Sequence, residues 1–134
     1  TWLPKLRKMY KEPKEDDTSE AGGLIRSFYN PVFFFPDLLQ NTYPSHMHID
    51  LLPRAQGCGN GTAMITKLLF ALMGAGSPGV HLEMASNNAR ALRFYKKIGF
   101  KELCRYHDDG KPASKDDNES HTICMGIVLG KPTK

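Results

Sequence analysis

Apolar positions along this chain follow two different periods, and their order outlines most of an α/β domain. His46-Met47-His48-Ile49-Asp50-Leu51-Leu52 alternates between Pro44 and Pro53, which predicts a strand over Ser45–Leu52. From Thr62 to Met73 the spacing is helical: Met64, Leu68 and Leu72 fall one turn apart, and Ile65 and Leu69 widen the same apolar face. Gly79–Ala85 predicts a second strand. Ser86-Asn87-Asn88 then starts a helix to Ile98, with Gly99 as its cap and Phe100 opening a strand over Lys101–His107. A polar, acidic-rich loop, Asp108–Ser120, leads to a last apolar strand, His121–Leu129, antiparallel to the one before; the loop's carboxylates read as solvated. Upstream, Trp2–Tyr10 and Ala21–Tyr29 read as short helices, the second despite Gly22-Gly23, joined by a charged linker over Lys11–Glu20. Pro31-Val32-Phe33-Phe34-Phe35-Pro36 reads as a buried aromatic plug.

Between the first strand and its helix lies Arg54-Ala55-Gln56-Gly57-Cys58-Gly59-Asn60-Gly61. A glycine-rich turn entering a helix leaves backbone N–H groups unpaired at the positive end of the helix dipole, where a phosphate or pyrophosphate fits. Glycine admits a close approach of backbone to anion. A Walker loop is excluded, since no lysine follows the glycines. A dinucleotide fingerprint fits poorly: the third glycine is Gly61, and Thr62 occupies its expected place. Glu83 lies near where a ribose-binding acid would sit, which keeps a nucleotide-binding protein as a weak alternative. On the glycines alone, a ligand site and an empty tight turn are equally good readings.

The second half of the stretch changes that balance. Arg54-x-x-Gly57-x-Gly59, followed by Asn88-x-x-Ala91-x-x-Phe94-Tyr95-x-x-x-Gly99-Phe100 at the appropriate distance, resembles the two signatures of the GNAT acetyltransferase superfamily. Tyr43 to Gly57, together with Gly76-Ser77-Pro78-Gly79-Val80-His81-Leu82, is similar to acetyltransferase-like proteins related to the C-terminal domain of O-GlcNAcase. The resemblance runs from about Tyr43 to the end, with a faint extension at Trp2–Arg7. It implies a GNAT-type mixed sheet with flanking helices in one domain, residues 1–134. Residues 45–134 would form the acetyl-CoA-binding core and residues 1–44 an atypical connection. Such a family member begins with a strand, two helices and two more strands, which the first 44 residues do not resemble. The expectation is therefore a fold lacking the family's N-terminal strands, with one wall of the substrate groove absent. The Ser45–Leu52 edge would then be open to a dimer partner or complementing chain.

Acetyl transfer from a thioester to an amine needs a positioned thioester, a deprotonated amine and a proton for the departing thiolate. The resemblance implies that Arg54 and the amides of Gln56, Gly57, Cys58, Gly59, Asn60 and Gly61 anchor the pyrophosphate of acetyl-CoA. Its pantetheine arm would pair with Leu51 and Leu52, where the next strand splays away. Asn88 would touch the arm, although it also reads as a helix cap, a task open to Asn87. Tyr95 would be the acid towards the thiolate, although Ala91 and Ile98 one turn away also suit a core tyrosine. Asp50 is the candidate base or amine anchor: it shares a strand face with His46 and His48, and His81 and Glu83 lie on the neighbouring strand. The plain alternative is an exposed polar strand face. Cys58 reads as a small loop residue, and nothing in the spacing calls for a metal.

Composition narrows the setting. The chain has 134 residues, 40% of them hydrophobic, enough for one domain with a real core. No apolar run approaches the ~20 residues that span a bilayer, and no signal peptide is visible. Cys58, Cys104 and Cys124 are odd in number and unpaired in spacing, which argues against a disulfide framework and for a cytoplasmic or nuclear setting. A net charge of +4 suits an anionic cofactor, and no basic run interleaved with aromatics points to nucleic acid. Three functions follow: an acetyl-CoA-dependent N-acetyltransferase acting on a primary amine of a small molecule or protein lysine, a non-catalytic acetyl-CoA-binding or interaction module, and a nucleotide-binding protein of another class.

Overall fold

Alternating burial along Gly79–Ala85 sets the middle of the fold. In the computed structural model, which describes residues 3–30 and 36–130, this segment is strand β2. Val80, Leu82 and Met84 are buried on one face, and His81 and Glu83 lie on the other. Lys101–Tyr106 forms β3, Thr122–Val128 forms β4, and a two-residue strand, Ser45–His46, is β1. Among the described residues the sheet is ordered β1-β2-β4-β3, with β1 parallel to β2 and the other neighbours antiparallel.

Register matches the apolar residues across the sheet: Val80 faces Ile127, Leu82 faces Met125, and Met84 faces Ile123. Two helices cover this side, α4 (Asn60–Gly74) and α5 (Ala89–Ile98). Ile65 of α4 is fully enclosed, and Leu69, Leu72, Leu92, Phe94, Tyr95 and Ile98 pack against the same core. Each fully buried side chain of this size contributes about 1.5–3 kcal/mol, so this layer binds sheet and helices together. On the opposite side, Tyr106 and Cys124 gather Leu103, Cys104, Tyr43 and Leu39, the last from the short helix α3 (Asp37–Gln40). The β3–β4 register shifts between Glu102 and Cys104, which lets the consecutive residues Leu103 and Cys104 both reach that cluster. Gly126 is required there, because a Cβ would stand 2.7 Å from Leu103 and 2.8 Å from the Tyr43 ring.

Most predicted elements match within a residue or two. The exception is the first strand, expected over Ser45–Leu52 but ending at His46. Its alternation persists, with Met47 buried and His48, Asp50 and Leu52 exposed, yet residues 48–52 have left the sheet. The helix expected from Ser86 begins at Ala89. No strand precedes β1 among the described residues. The Pro31–Phe35 part of the aromatic run lies outside the described residues.

Packing divides the chain into two compact units, residues 1–34 and 35–134. In the first unit, α1 (Leu3–Met9) and α2 (Glu20–Tyr29) are joined by side chains. Ser19 caps α2 by accepting from the Gly22 N–H at 3.0 Å. Arg7 donates to the Phe28 carbonyl at 2.6 Å, and the Tyr29 hydroxyl donates to the Tyr10 carbonyl at 2.6 Å. Gly22 suits its place because a Cβ would run into the Asp17 carboxylate at 2.6 Å.

The far end of the sheet holds a shielded polar network. Arg105 donates to both oxygens of Glu102, at 2.7 and 3.0 Å, with side-chain exposures of only 12% and 19%. The third guanidinium nitrogen, Nη1, lies 2.9 Å from His121 Nε2. Arginine can only donate, so Nε2 accepts and the proton sits on Nδ1, which donates to the Glu119 carbonyl at 2.9 Å. The hydrogen bond from Arg105 holds the Glu102 carboxyl below its usual 4.5, against the opposing effect of burial. A folded-state value below the unfolded one contributes stability above about pH 4.5, which is lost as pH falls through the depressed value. Glu102→Gln is therefore expected to cost roughly 2 kcal/mol in urea unfolding at pH 7, with the gap to wild type narrowing below about pH 4.5. A gap that stays constant down to pH 3 would mean that the ion pair does not carry it.

Candidate active site

The site begins where β1 and β2 part. The Met47 N–H donates to the His81 carbonyl at 3.0 Å, the last bond between them. Beyond it the chain runs extended through Ile49 and Leu51, makes a single 3-10 turn over Pro53–Ala55, and enters the glycine loop and α4. Beside the parted segment lies a cleft of about 620 Å³. Ile49, Asp50 and Leu51 form one wall, and Gln56, Gly57, Gly59, Gly61 and Thr62 form the loop end. The facing wall comes from Asn88 and the α5 residues Arg90, Ala91, Phe94, Tyr95 and Lys97.

The loop's glycines answer a different need from the one expected. Gly57 and Gly59 have φ of +82° and +79°, and a Cβ at either would meet nothing within 4 Å. The left-handed backbone, rather than crowding by the protein, is what selects glycine there. Gly61 is the crowded one, since a Cβ would lie 3.0 Å from Phe94 and 3.2 Å from Leu51. Side chains brace the loop. Gln56 donates to the Leu51 carbonyl at 2.9 Å and accepts from Arg90 at 3.1 Å, tying the parted strand to α5. Asn60 donates to the Ala55 carbonyl at 3.0 Å. Gly59 precedes α4 without a side-chain cap, and among the described residues nothing accepts from the N–H groups of Gly57 to Thr62. That leaves a row of free donors in the loop, whose Gly57, Gly59, Gly61 and Thr62 line the cleft.

On α5 the expected residues have double duties. Asn88, not Asn87, caps the helix: its Oδ1 accepts from the Ala91 N–H at 3.0 Å, and the residue lines the cleft. Tyr95 is half-buried, with its ring 5.8 Å from that of Phe100 against the core, yet it also lines the cleft. Burial, and secondarily the Asp50 carboxylate, raises its phenol above the usual 10.0, so it keeps its proton through neutral pH. Arg90 and Lys97 went unnoticed in the sequence. They stand seven residues apart, with Phe94 between them at helical spacing, and that periodicity would have placed them beside the apolar stripe.

Of the remaining expected residues, Asp50, Leu51 and Gly61 line the cleft, whereas Leu52, Arg54, Cys58 and Asn60 do not. Arg54 sits on the exposed 3-10 turn, and Cys58 is an exposed free thiol. The polar strand face is divided. His48 pairs with Asp50 at 2.8 Å, both side chains well exposed. His46 instead stacks on His81 across the strands, ring centroids 4.8 Å apart and planes 13° from parallel. His81 Nδ1 lies 2.6 Å from the Tyr43 carbonyl, so it carries the proton and donates.

Comparison with known proteins meets this geometry. The acetyltransferase (GNAT) domain model matches residues 33–102, just over half of the chain. A 106-residue stretch, 78% of the chain, is 27% identical to protein O-GlcNAcase from Rattus norvegicus. Over 79 residues, 58% of the chain, identity is 39% to the [ribosomal protein bS18]-alanine N-acetyltransferase of Haemophilus influenzae. The crystal structure of SsHAT superposes on 97% of the chain with a TM-score of 0.67 and 31% identity. The chain spans 12%, 53% and 57% of these three proteins respectively, less than two thirds of each. A mixed sheet parted beside a glycine loop and a matching family model lead to one conclusion: the chain belongs to the GNAT acetyltransferase family.

Proposed function

We propose that this chain is an acetyl-CoA-dependent N-acetyltransferase that moves an acetyl group directly to a primary amine. The observation that carries the reading is the cleft between the parted residues 49–51 and α5, with unpaired loop N–H groups at one end and Tyr95 on its wall. The donor set suits the group that the family uses. The N–H groups from Gly57 to Thr62 would hold the pyrophosphate, with Arg90 and Lys97 adding charge attraction along one side. The parted backbone at Asp50 and Leu51, bordered by Ile49, would take the pantetheine arm, and the Asn88 NH2 would donate to it. When bound, acetyl-CoA supplies an activated acyl group with sulfur as leaving atom.

The chain's own residues provide the rest. Loop and α5 hold the cosubstrate against the parted strand, which reduces the entropy cost of bringing it to an acceptor. Tyr95, protonated at neutral pH, is suited to give a proton to sulfur. Asp50 lines the same cleft and offers a carboxylate to an incoming ammonium. Binding without catalysis is the competing reading.

Calorimetry of purified protein with acetyl-CoA is expected to show micromolar binding, abolished by Gly57→Asp with Gly59→Asp, which set carboxylates among the donors. No binding by the native chain would end the reading. Acetyl transfer to spermine, a lysine peptide and an alanine-terminated peptide then separates enzyme from binding module. For whichever amine reacts, Tyr95→Phe should lower kcat about 100-fold and leave the affinity for acetyl-CoA unchanged. An unaffected kcat would remove Tyr95 from the chemistry.

A further inference from the structure

We propose that His46 is the residue that accepts a proton from the acceptor amine, working at the point where β1 and β2 part. The inference rests on the acetyltransferase reading above and assigns the proton acceptor that Tyr95 and Asp50 leave unnamed. His46 is the last residue of β1, directly before the final cross-strand bond at Met47. The cleft lining begins three residues on, at Ile49, so His46 stands just outside the cleft, at the apex of the fork towards which the thioester would point. Its side chain leaves the sheet on the face away from α4 and α5, because the next residue, Met47, is buried beneath them. An acceptor arriving from that side would meet His46 before the acetyl carbon.

Its surroundings suit a neutral base. His46 lies flat against His81, whose own ring is fixed by the bond to Tyr43. Among the described residues nothing hydrogen-bonds the ring nitrogens of His46. The groups facing it are His81 and Glu83 from β2 and His48 beyond β1. Burial, then the neighbouring His81, lowers its value from 6.5, Glu83 partly offsets this, and His48 adds to the lowering. The ring therefore meets its substrate unprotonated at neutral pH, while the carboxylates of Glu83 and Asp50 favour an approaching cation.

The proton balance closes. One N–H bond of the ammonium breaks, its electron pair stays on nitrogen, and the proton passes to His46 and then to solvent. The free amine forms its bond to the acetyl carbon as the acetyl–sulfur bond breaks. The second N–H proton replaces the one that Tyr95 gives to sulfur.

The test has two arms. In the first, histidine ring resonances are titrated by NMR, with His46→Gln identifying the signal. His46 is expected to titrate below 6.5 and to rise in His81→Phe; a midpoint at or above 6.5, or one indifferent to His81→Phe, overturns the proposal. In the second, acetyl transfer to spermine is followed against pH. His46→Gln should lower kcat/KM about 100-fold at pH 7, with acetyl-CoA affinity unchanged and the deficit shrinking at alkaline pH as the amine arrives deprotonated. Full activity in His46→Gln, or that profile in Glu83→Gln instead, overturns it. A native chain that acetylates no amine fails the acetyltransferase reading itself, and the ring titration then judges His46 alone.

Discussion

One hydrogen bond marks the point from which the functional half of this molecule is laid out. Met47 donates to the His81 carbonyl at 3.0 Å, and past it the two neighbouring strands stop pairing. A sheet edge that ends early normally exposes donors and acceptors with no structural return. Here the parted segment is held by Gln56, whose carboxamide grips Leu51 on one side and Arg90 on the other. That bridge ties the parted strand to α5. The cleft is the space left by that arrangement.

Helix α5 shows how one short element serves core and cleft together. Ala91, Phe94, Tyr95 and Ile98 form a stripe against the sheet, while Arg90 and Lys97 border the same stripe on the cleft side. Tyr95 belongs to both groups. Its ring is kept in place by packing against Phe100, and that same burial is what keeps its hydroxyl protonated. The core tyrosine and the cleft tyrosine, competing readings of one residue in the sequence, are two ends of a single side chain. Asn88 behaves alike, with its oxygen spent on the helix cap and its NH2 available.

Titratable groups are sorted by the sheet. The pair Arg105–Glu102, with His121 behind it, is shielded, fully bonded and suited to stability. The histidines beside the fork are arranged differently, with His46 and His81 stacked and His48 turned to Asp50. Alternation would put His46, His48 and Asp50 on one face of one strand. Loss of the partner strand after Met47 sends Asp50 to the cleft wall instead.

By itself, the sequence determined the element types, their order and the location of the glycine loop, because side-chain periodicity and cap residues act within a few positions of each other. It carried the strand Gly79–Ala85 to the residue, and the α4 and α5 helices to within a turn. What only the tertiary structure decided was pairing. Alternation from Ser45 to Leu52 reports which side of an extended chain meets the core, and that side was correctly marked. It carries no information on whether a neighbouring strand is present to take each N–H. The early end of β1, the choice of Arg90 and Lys97 and not Arg54 as the cations at the cleft, and the His46–His81 stack all depend on where distant segments lie in space. None of them has a local signature along the chain.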